Sequence, residues 1–304
     1  MISKLLSFVP DIVFTDFGAN PSWYAKLYGL LCSRQVPLVV LLRGDLWNEY
    51  EERFHAIGYP SKLLGPLYKF SWINGLGFAD RILAICGWLK EAVLERYPEK
   101  RVGLLYEGID SQDFLGNDGF TFDFKQPAVG ILQNNLILPK VKGLIWFSAV
   151  VKKMPDVNFY LAGDGPYTRF VEDAFAGLPN AHFVGHLDYP DGVCRFHRST
   201  DVHVLASGLD CCPASLLEAS LCGKPVVASR VGGIPELVQE GGTGWTVPNG
   251  ETELWITKIR MLLEDQALAK RFGANGRAFV AKNFNRAVQA SKLASILEEE
   301  IASS

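Results

Sequence analysis

Residues 207–236, SGLDCCPASLLEASLCGKPVVASRVGGIPE, read as a loop, a helix, a short apolar strand and a glycine turn. That order places small polar groups at the carboxyl edge of a parallel sheet. Pro213 suits the first position of the helix, because it has no amide hydrogen to leave unpaired. Ala214, Ser215 and Leu216 then present free backbone N–H groups at the positive end of the helix dipole, where phosphate binds readily. Glu218, a little more than one turn in, stays near enough to that end to accept hydrogen bonds from sugar hydroxyls. Lys224-Pro225 opens the returning strand at residues 226–228, and Gly232-Gly233 closes it, adjacent glycines being able to approach a ligand with their backbone. Taken singly, Glu218 in a capped core helix and Gly232-Gly233 in a tight turn are ordinary packing features; their succession within thirty residues is harder to explain as packing.

The same alternation runs through the chain. Residues 11–15, 37–42, 81–85 and 102–106 are short, apolar and rich in Val, Ile and Leu, with helical stretches between them. A loop at 111–125, with Gly116, Asn117, Asp118 and Gly119, punctuates the rhythm. It resumes at 128–132, followed by the loop QNNLILPKVKG and a helix expected over 144–152. A strand ending in a glycine turn follows at 158–166 and a strand and turn at 182–187, and DVHVLAS at 201–207 leads into the opening stretch. The reading is α/β, with parallel sheets covered by helices. At 304 residues the chain can bury two cores. The expected division is 1–112, 113–284 and a last helix, 285–304.

Composition narrows the function classes. Charged residues make up 21% and the hydrophobic set 48%, with a net charge of −3, so nothing suggests a nucleic-acid partner. No apolar run approaches the ~18 residues of a membrane span. Asp11 interrupts the start too early for a secretory signal. Cys32, Cys86, Cys194, Cys211, Cys212 and Cys222 show neither CxxC nor His-paired spacing, which fits reduced thiols in a cytoplasmic protein and no metal site. No strand is followed by GxGxxG with a downstream acid, which argues against a dinucleotide oxidoreductase.

The phrase LLEASLCGKPVVAS followed by GGIPE, with Asp210 and Glu218 separated by seven residues, resembles the retaining glycosyltransferases of family 4, also called glycosyl transferases group 1. The resemblance implies a GT-B fold: two Rossmann-like domains facing a cleft. It also implies transfer of a sugar from a nucleotide diphosphate donor to an acceptor hydroxyl with retention of configuration. In that reading Glu218 holds the donor ribose, and Asp210 the transferred sugar. Lys142, in the Lys-Gly phrase of the loop after the 128–132 strand, holds the diphosphate together with the helix beginning near Pro213. Gly163, in a GDGP turn, and Gly185 with His186, in a VGH turn, line the nucleotide; His186 is equally compatible with an ordinary loop histidine. Arg43 stands where relatives carry a His that touches the sugar, and either binds donor or pairs with Asp45 or Glu49. No cofactor is implied beyond the donor, a UDP- or GDP-sugar; the acceptor class is a glycan or a lipid-linked sugar.

Several features depart from the family. Asp210 replaces the usual Glu, Arg43 the His, and the Arg that normally precedes Lys-Gly does not appear, Lys140 being a nearby cation without the planar fork of a guanidinium. The phrases at 10–15 and 79–85 resemble the second half of the family's N-terminal domain, so that domain is expected to be short and its sheet incomplete. An open sheet edge leaves self-association or a companion chain open. Residues 63–78, LLGPLYKFSWINGLGF, read either as a core helix or as one that settles on a membrane surface. Two function readings follow: an active glycosyltransferase, or a nucleotide-sugar-binding subunit completed by a partner.

Overall fold

The computed structural model describes residues 10–16, 36–45, 47, 74–115 and 121–303. Most of the 63–78 stretch, Glu49, Cys32 and the glycines of the 111–125 loop lie outside them; of the former, only a single 3-10 turn at Gly75–Phe78 is described. Among the described residues no helix is long and apolar enough to cross a membrane. The chain divides into two compact units, one of residues 1–106 with 289–304 and one of residues 107–288.

The first unit is a parallel sheet in the order β1 (Val13–Asp16), β2 (Leu38–Leu42), β3 (Arg81–Ala84), β4 (Arg101–Leu104). The continuous apolar run of β2 is buried at every position, as a strand covered on both faces requires. The β4 strand begins and ends before the expected 102–106. Helix α1 (Gly87–Arg96) buries Leu89 and Val93 after β3. The end of the last helix is tied to this unit by charge: Arg81 Nη1 donates to Glu299 Oε2 at 2.6 Å and to Glu300 Oε1 at 2.9 Å. Arg101 grips both oxygens of Glu300, through Nη2 at 2.8 Å and Nη1 at 2.9 Å. Such a fork is stronger than a single point contact.

The second unit starts with the short helix α2 (Gln112–Leu115). It continues as β5 (Ala128–Leu132), α3 (Leu138–Lys152), β6 (Asn158–Ala162), α4 (Thr168–Phe175), β7 (Ala181–Gly185), α5 (Asp191–Arg198), β8 (Val202–Leu205), α6 (Ala214–Leu221), β9 (Val226–Ser229), β10 (Gly244–Val247), α7 (Thr252–Glu264) and α8 (Gln266–Asn283). Its six parallel strands lie in the order β10-β9-β8-β5-β6-β7. Val129, Ile131, Phe159, Leu161, Val202 and Val204 pack on one face against Phe147, Trp255 and Phe272. On the other, Tyr160 and Phe196 meet Phe122 and Phe124, with Phe124 stacked on Tyr160 at 3.7 Å. The final helix, α9 (Arg286–Ser303), leaves this unit and supplies the glutamates described above.

One element differs substantially from expectation. Helix α3 begins at Leu138, not at 144, so Pro139, Lys140, Lys142 and Gly143 are helical. Pro139 is tolerated in the first turn, where no intrahelical partner for its nitrogen is needed. Gly143 is tolerated because the helix is pressed against another segment there.

Glu300 is buried while its arginine partners reach solvent, so Glu300→Ala leaves Arg101 without its fork and Arg81 with Glu299 alone. The expected loss is about 3 kcal/mol, the low end for one partner of a buried pair. Urea unfolding of the intact chain measures it; a loss under ~0.5 kcal/mol would class these contacts with ordinary surface pairs.

Candidate active site

The order of the second sheet locates the site. From β5 the chain moves outward to β6 and β7, then returns to the other side of β5 to lay down β8. The loops leaving β5 and β8 therefore part in opposite directions, opening the kind of crevice in which parallel sheets bind ligands.

These two loops touch through glycine. A Cβ on Gly143 would lie 2.3 Å from the Ser207 carbonyl carbon, and one on Gly208 would lie 2.1 Å from the Pro139 oxygen. Neither distance is tolerable, and the obstacles are backbone that cannot swing aside. Gly208 N–H also donates to the Lys140 carbonyl at 3.1 Å. The β8 loop is pinned from behind by a partly buried polar set. Ser207 N–H donates to Ser229 Oγ at 3.0 Å, Ser229 Oγ–H to Asn249 Oδ1 at 2.8 Å, and the Asn249 amide returns to the Ser207 carbonyl at 3.0 Å. Sequence reading missed Ser229 and Asn249 as supports, since their relation to Ser207 exists only across strands.

Lys140 and Asp210 meet across this contact at 2.7 Å, both side chains largely buried. Asp210 Oδ1 also accepts from Cys211 N–H at 3.1 Å. Lys142 is exposed, two residues further along α3. Gly232, read from sequence as a glycine that approaches a ligand, instead approaches Asp210. A Cβ there would lie 2.1 Å from the Asp210 carbonyl oxygen, its φ is +53°, and Gly233 N–H donates to the same oxygen at 3.0 Å. The glycine pair buttresses the loop that carries the acid.

Helix α6 also needs correction. Pro213 is the residue before the helix, with φ −66° and an extended ψ of 119°. Its carbonyl accepts from Leu216 N–H at 3.2 Å, so Leu216 is not a free donor. Ala214 and Ser215 are the open N–H groups, on an exposed and a half-buried residue.

Glu218 is only 6% exposed, and its carboxylate has no hydrogen bond to any described residue. Burial pushes its pKa up from 4.5 to about 7. His197 Nε2 lies 3.8 Å from its Oε2. His197 and His203, both fully buried, went unnoticed in the sequence.

Gly163 has φ +117°, and a Cβ there would strike the Gln133 oxygen at 2.0 Å; its glycine is required by packing between the β5 and β6 loops. Gly185, with φ +81°, is exposed with open space where a side chain would be, and its carbonyl accepts from Gly163 N–H at 2.8 Å. His186 is a surface residue, Nδ1 3.9 Å from Asp164. Thus Lys140, Lys142, Gly163, Gly185, His186, Asp210, Ala214 and Ser215 all belong to the carboxyl edge of one sheet. Arg43 belongs to the first unit, at the end of β2, where its Nε pairs with Asp16 Oδ1 at 2.8 Å. A cavity of about 580 Å3 opens at the amino ends of β5, β8 and β9, lined by Asp201, Lys224 and Lys270 among others. It is on the wrong edge of the sheet for these residues.

The model of the family Glycosyl transferases group 1 matches residues 131–265, the part that holds this crevice. That segment resembles a glycosyl transferases group 1 domain. Sulfoquinovosyl transferase of Arabidopsis thaliana is 37% identical to this chain over 139 residues, 45% of this chain and 27% of that protein. N-acetyl-alpha-D-glucosaminyl L-malate synthase of Bacillus anthracis is 28% identical over 196 residues, 62% of this chain and 51% of that one. The chain thus spans about half or less of the length of these relatives. Anabaena HepE, solved in complex with UDP and glucose, superposes with a TM-score of 0.75 at 19% identity, over 98% of this chain and 81% of that one. The fold is GT-B, as the resemblance implied.

In the second unit the raised pKa of Glu218 makes a stability prediction. The folded chain holds a proton at Glu218 that the unfolded chain releases between pH 4.5 and about 7. Stability is therefore full below pH 4.5 and lost as pH rises through 7, by ~3 kcal/mol for a shift of this size. Glu218→Gln removes that loss. Urea unfolding should show the variant gaining on the natural protein by ~3 kcal/mol between pH 5 and pH 8; a constant difference at both pH values would contradict the assignment.

Proposed function

We propose that this chain is a glycosyltransferase that moves a sugar from a nucleotide diphosphate sugar to an acceptor hydroxyl. The observation that carries the reading is the Glu218 carboxylate: buried, without a hydrogen-bond donor among the described residues, and one turn from the open N–H groups of Ala214 and Ser215. A carboxylate so placed is costly until a ligand brings hydroxyls to it. A ribose supplies two neighbouring hydroxyls, and the phosphates attached to it would extend toward the start of α6 and the Lys142 ammonium.

Breaking the anomeric bond leaves negative charge on the departing diphosphate. Fixed N–H groups and an ammonium at that place stabilise the transition state more than the ground state, which is where the acceleration would arise. Asp210 would accept from hydroxyls of the transferred sugar. Retention is the expected outcome: acceptor attack occurs on the face the diphosphate leaves, and a donor phosphate oxygen takes the acceptor proton, so no protein base is required. A glycosidase-like acid pair would need two carboxylates flanking the bond; Asp210 is committed to Lys140 and Glu218 is buried in the helix layer. The donor is a UDP- or GDP-sugar, and the acceptor a glycan or lipid-linked sugar.

A second reading is a donor-binding subunit completed by a companion chain. The pairing of Lys140 with Asp210 favours it, since a cation that could assist the leaving group already has an anionic partner.

Calorimetric titration with UDP and GDP, followed by donor hydrolysis and transfer assays, tests both. Lys142→Ala is expected to lower kcat by about 10²–10³-fold, the usual effect of removing one group that stabilises a developing anion, and Glu218→Ala to raise donor KM sharply. If neither changes turnover in a folded protein, the site assignment is wrong. Binding without turnover, restored by a companion protein, selects the second reading.

A further inference from the structure

Helix α5 faces Glu218 with a histidine that the proposed reaction has not used. His197 has no exposed surface, and neither of its ring nitrogens has a hydrogen-bond partner among the described residues. Its Nε2 lies 3.8 Å from Glu218 Oε2, about 0.6 Å beyond ordinary hydrogen-bond reach. His203 on β8, also fully buried, closes the other side with its ring edge-on at 4.9 Å and 80°. Burial holds both rings neutral; His197 is pushed down to about 3, with Lys224 adding to the effect. Tyr189 and Cys194 also face Glu218 from the α5 side, and Cys222 follows it by one turn, just past the end of α6.

A neutral imidazole carries one N–H and one bare nitrogen. Buried without partners, both are penalised, whereas a phenyl ring would fill similar space at no such cost. The pairing therefore makes physical sense if the N–H finds an acceptor in another state. Glu218 is the acceptor within reach, and a small rotation of its side chain closes the gap.

We propose that His197 is a positioning residue for Glu218: as the neutral Nε2–H tautomer it donates to Oε2 whenever the carboxylate is ionised, in the free protein and in the nucleotide complex alike, leaving Oε1 to accept ribose hydroxyls. This inference rests on the ribose reading above. The bond is charge-assisted and lies in a dry layer, so it favours the ionised carboxylate and fixes its plane. Without it the carboxyl group holds its proton to higher pH and binds ribose less well at neutrality.

The test is calorimetric titration with UDP and with GDP from about pH 5.5 to about pH 9, a range that spans the titration of a carboxyl group shifted to neutrality. The natural protein should lose affinity by about tenfold per pH unit below its midpoint. His197→Phe should move that midpoint upward by about one unit and weaken binding about tenfold at neutral pH, with thermal unfolding showing an intact fold. His197→Gln, which offers an N–H of comparable reach, should restore the natural midpoint. Should His197→Phe not fold, His197→Met provides the same donor-free comparison with an adaptable apolar side chain. An unchanged midpoint in the folded donor-free variant overturns the proposal, as does failure of His197→Gln to restore it. If Glu218→Gln binds both nucleotides as tightly as the natural protein, or if neither nucleotide binds at all, the ribose reading itself falls, and the inference with it. If Glu218→Gln weakens binding and abolishes its pH dependence, the ribose reading stands and His197→Phe alone decides.

Discussion

The second unit depends on a contact made by absent side chains. At Gly143 and Gly208 the start of α3 and the loop after β8 meet backbone to backbone, at separations that even a methyl group would prevent. A glycine inside a helix costs about 1 kcal/mol relative to alanine, and α3 accepts that cost five residues from its start. The return is position. Lys140 reaches Asp210 at 2.7 Å, and the Gly208 N–H finds the Lys140 carbonyl. Gly232 repeats the device on the far side of the same loop, pressing against the Asp210 carbonyl. Asp210 is thus held from both sides by segments that could not approach if they carried a Cβ.

Around this frame, charge is distributed unevenly. The Lys140–Asp210 pair is closed on itself, Lys142 is exposed, and Glu218 is buried with burial alone raising its pKa. A folded protein gains nothing from a carboxylate in such surroundings, and above neutral pH it loses stability by keeping one. Conflicts between local stability and side-chain choice concentrate where a ligand resolves them. The same logic separates Glu218 from Glu300. Both are buried, but Glu300 is gripped by Arg81 and Arg101, which is what a carboxylate with a purely structural task looks like.

Much of the fold was legible in the sequence because parallel strands advertise themselves. Continuous apolar runs such as residues 38–42 and 128–132 admit few other readings, and the expected strands of both sheets formed, with ends shifted by a residue or two. The start of α3 was not legible: Pro139 and Gly143 are loop signals by local chemistry, and only the nearness of Ser207, more than sixty residues later in the chain, turns Gly143 into a helix residue. For the same reason Gly232-Gly233 suggested ligand contact when the contact is with Asp210. The LLEASLCGKPVVAS phrase marked the region of Glu218, yet nothing near it in sequence announced His197 or His203. Their relation to Glu218 comes from the packing of α5 and β8 against α6, and local patterns carry no signal of it.

The placement of these residues also bears on how a donor could enter. The Lys140–Asp210 pair occupies the crevice where β5 and β8 diverge, so on the proposed reading it is the ground state the donor must displace. Breaking a largely buried pair outright would strand two charges at several kcal/mol. A nucleotide diphosphate sugar avoids that, because it carries both replacement partners on one molecule: phosphate oxygens for the lysine and sugar hydroxyls for the aspartate. The exchange is balanced only when diphosphate and sugar arrive together. A nucleoside diphosphate or a free sugar satisfies one side only and for that reason binds more weakly than the intact donor. The pair would then discriminate for the intact donor, which is a use for a lysine that a fixed arginine fork, already committed to phosphate, could not serve as readily.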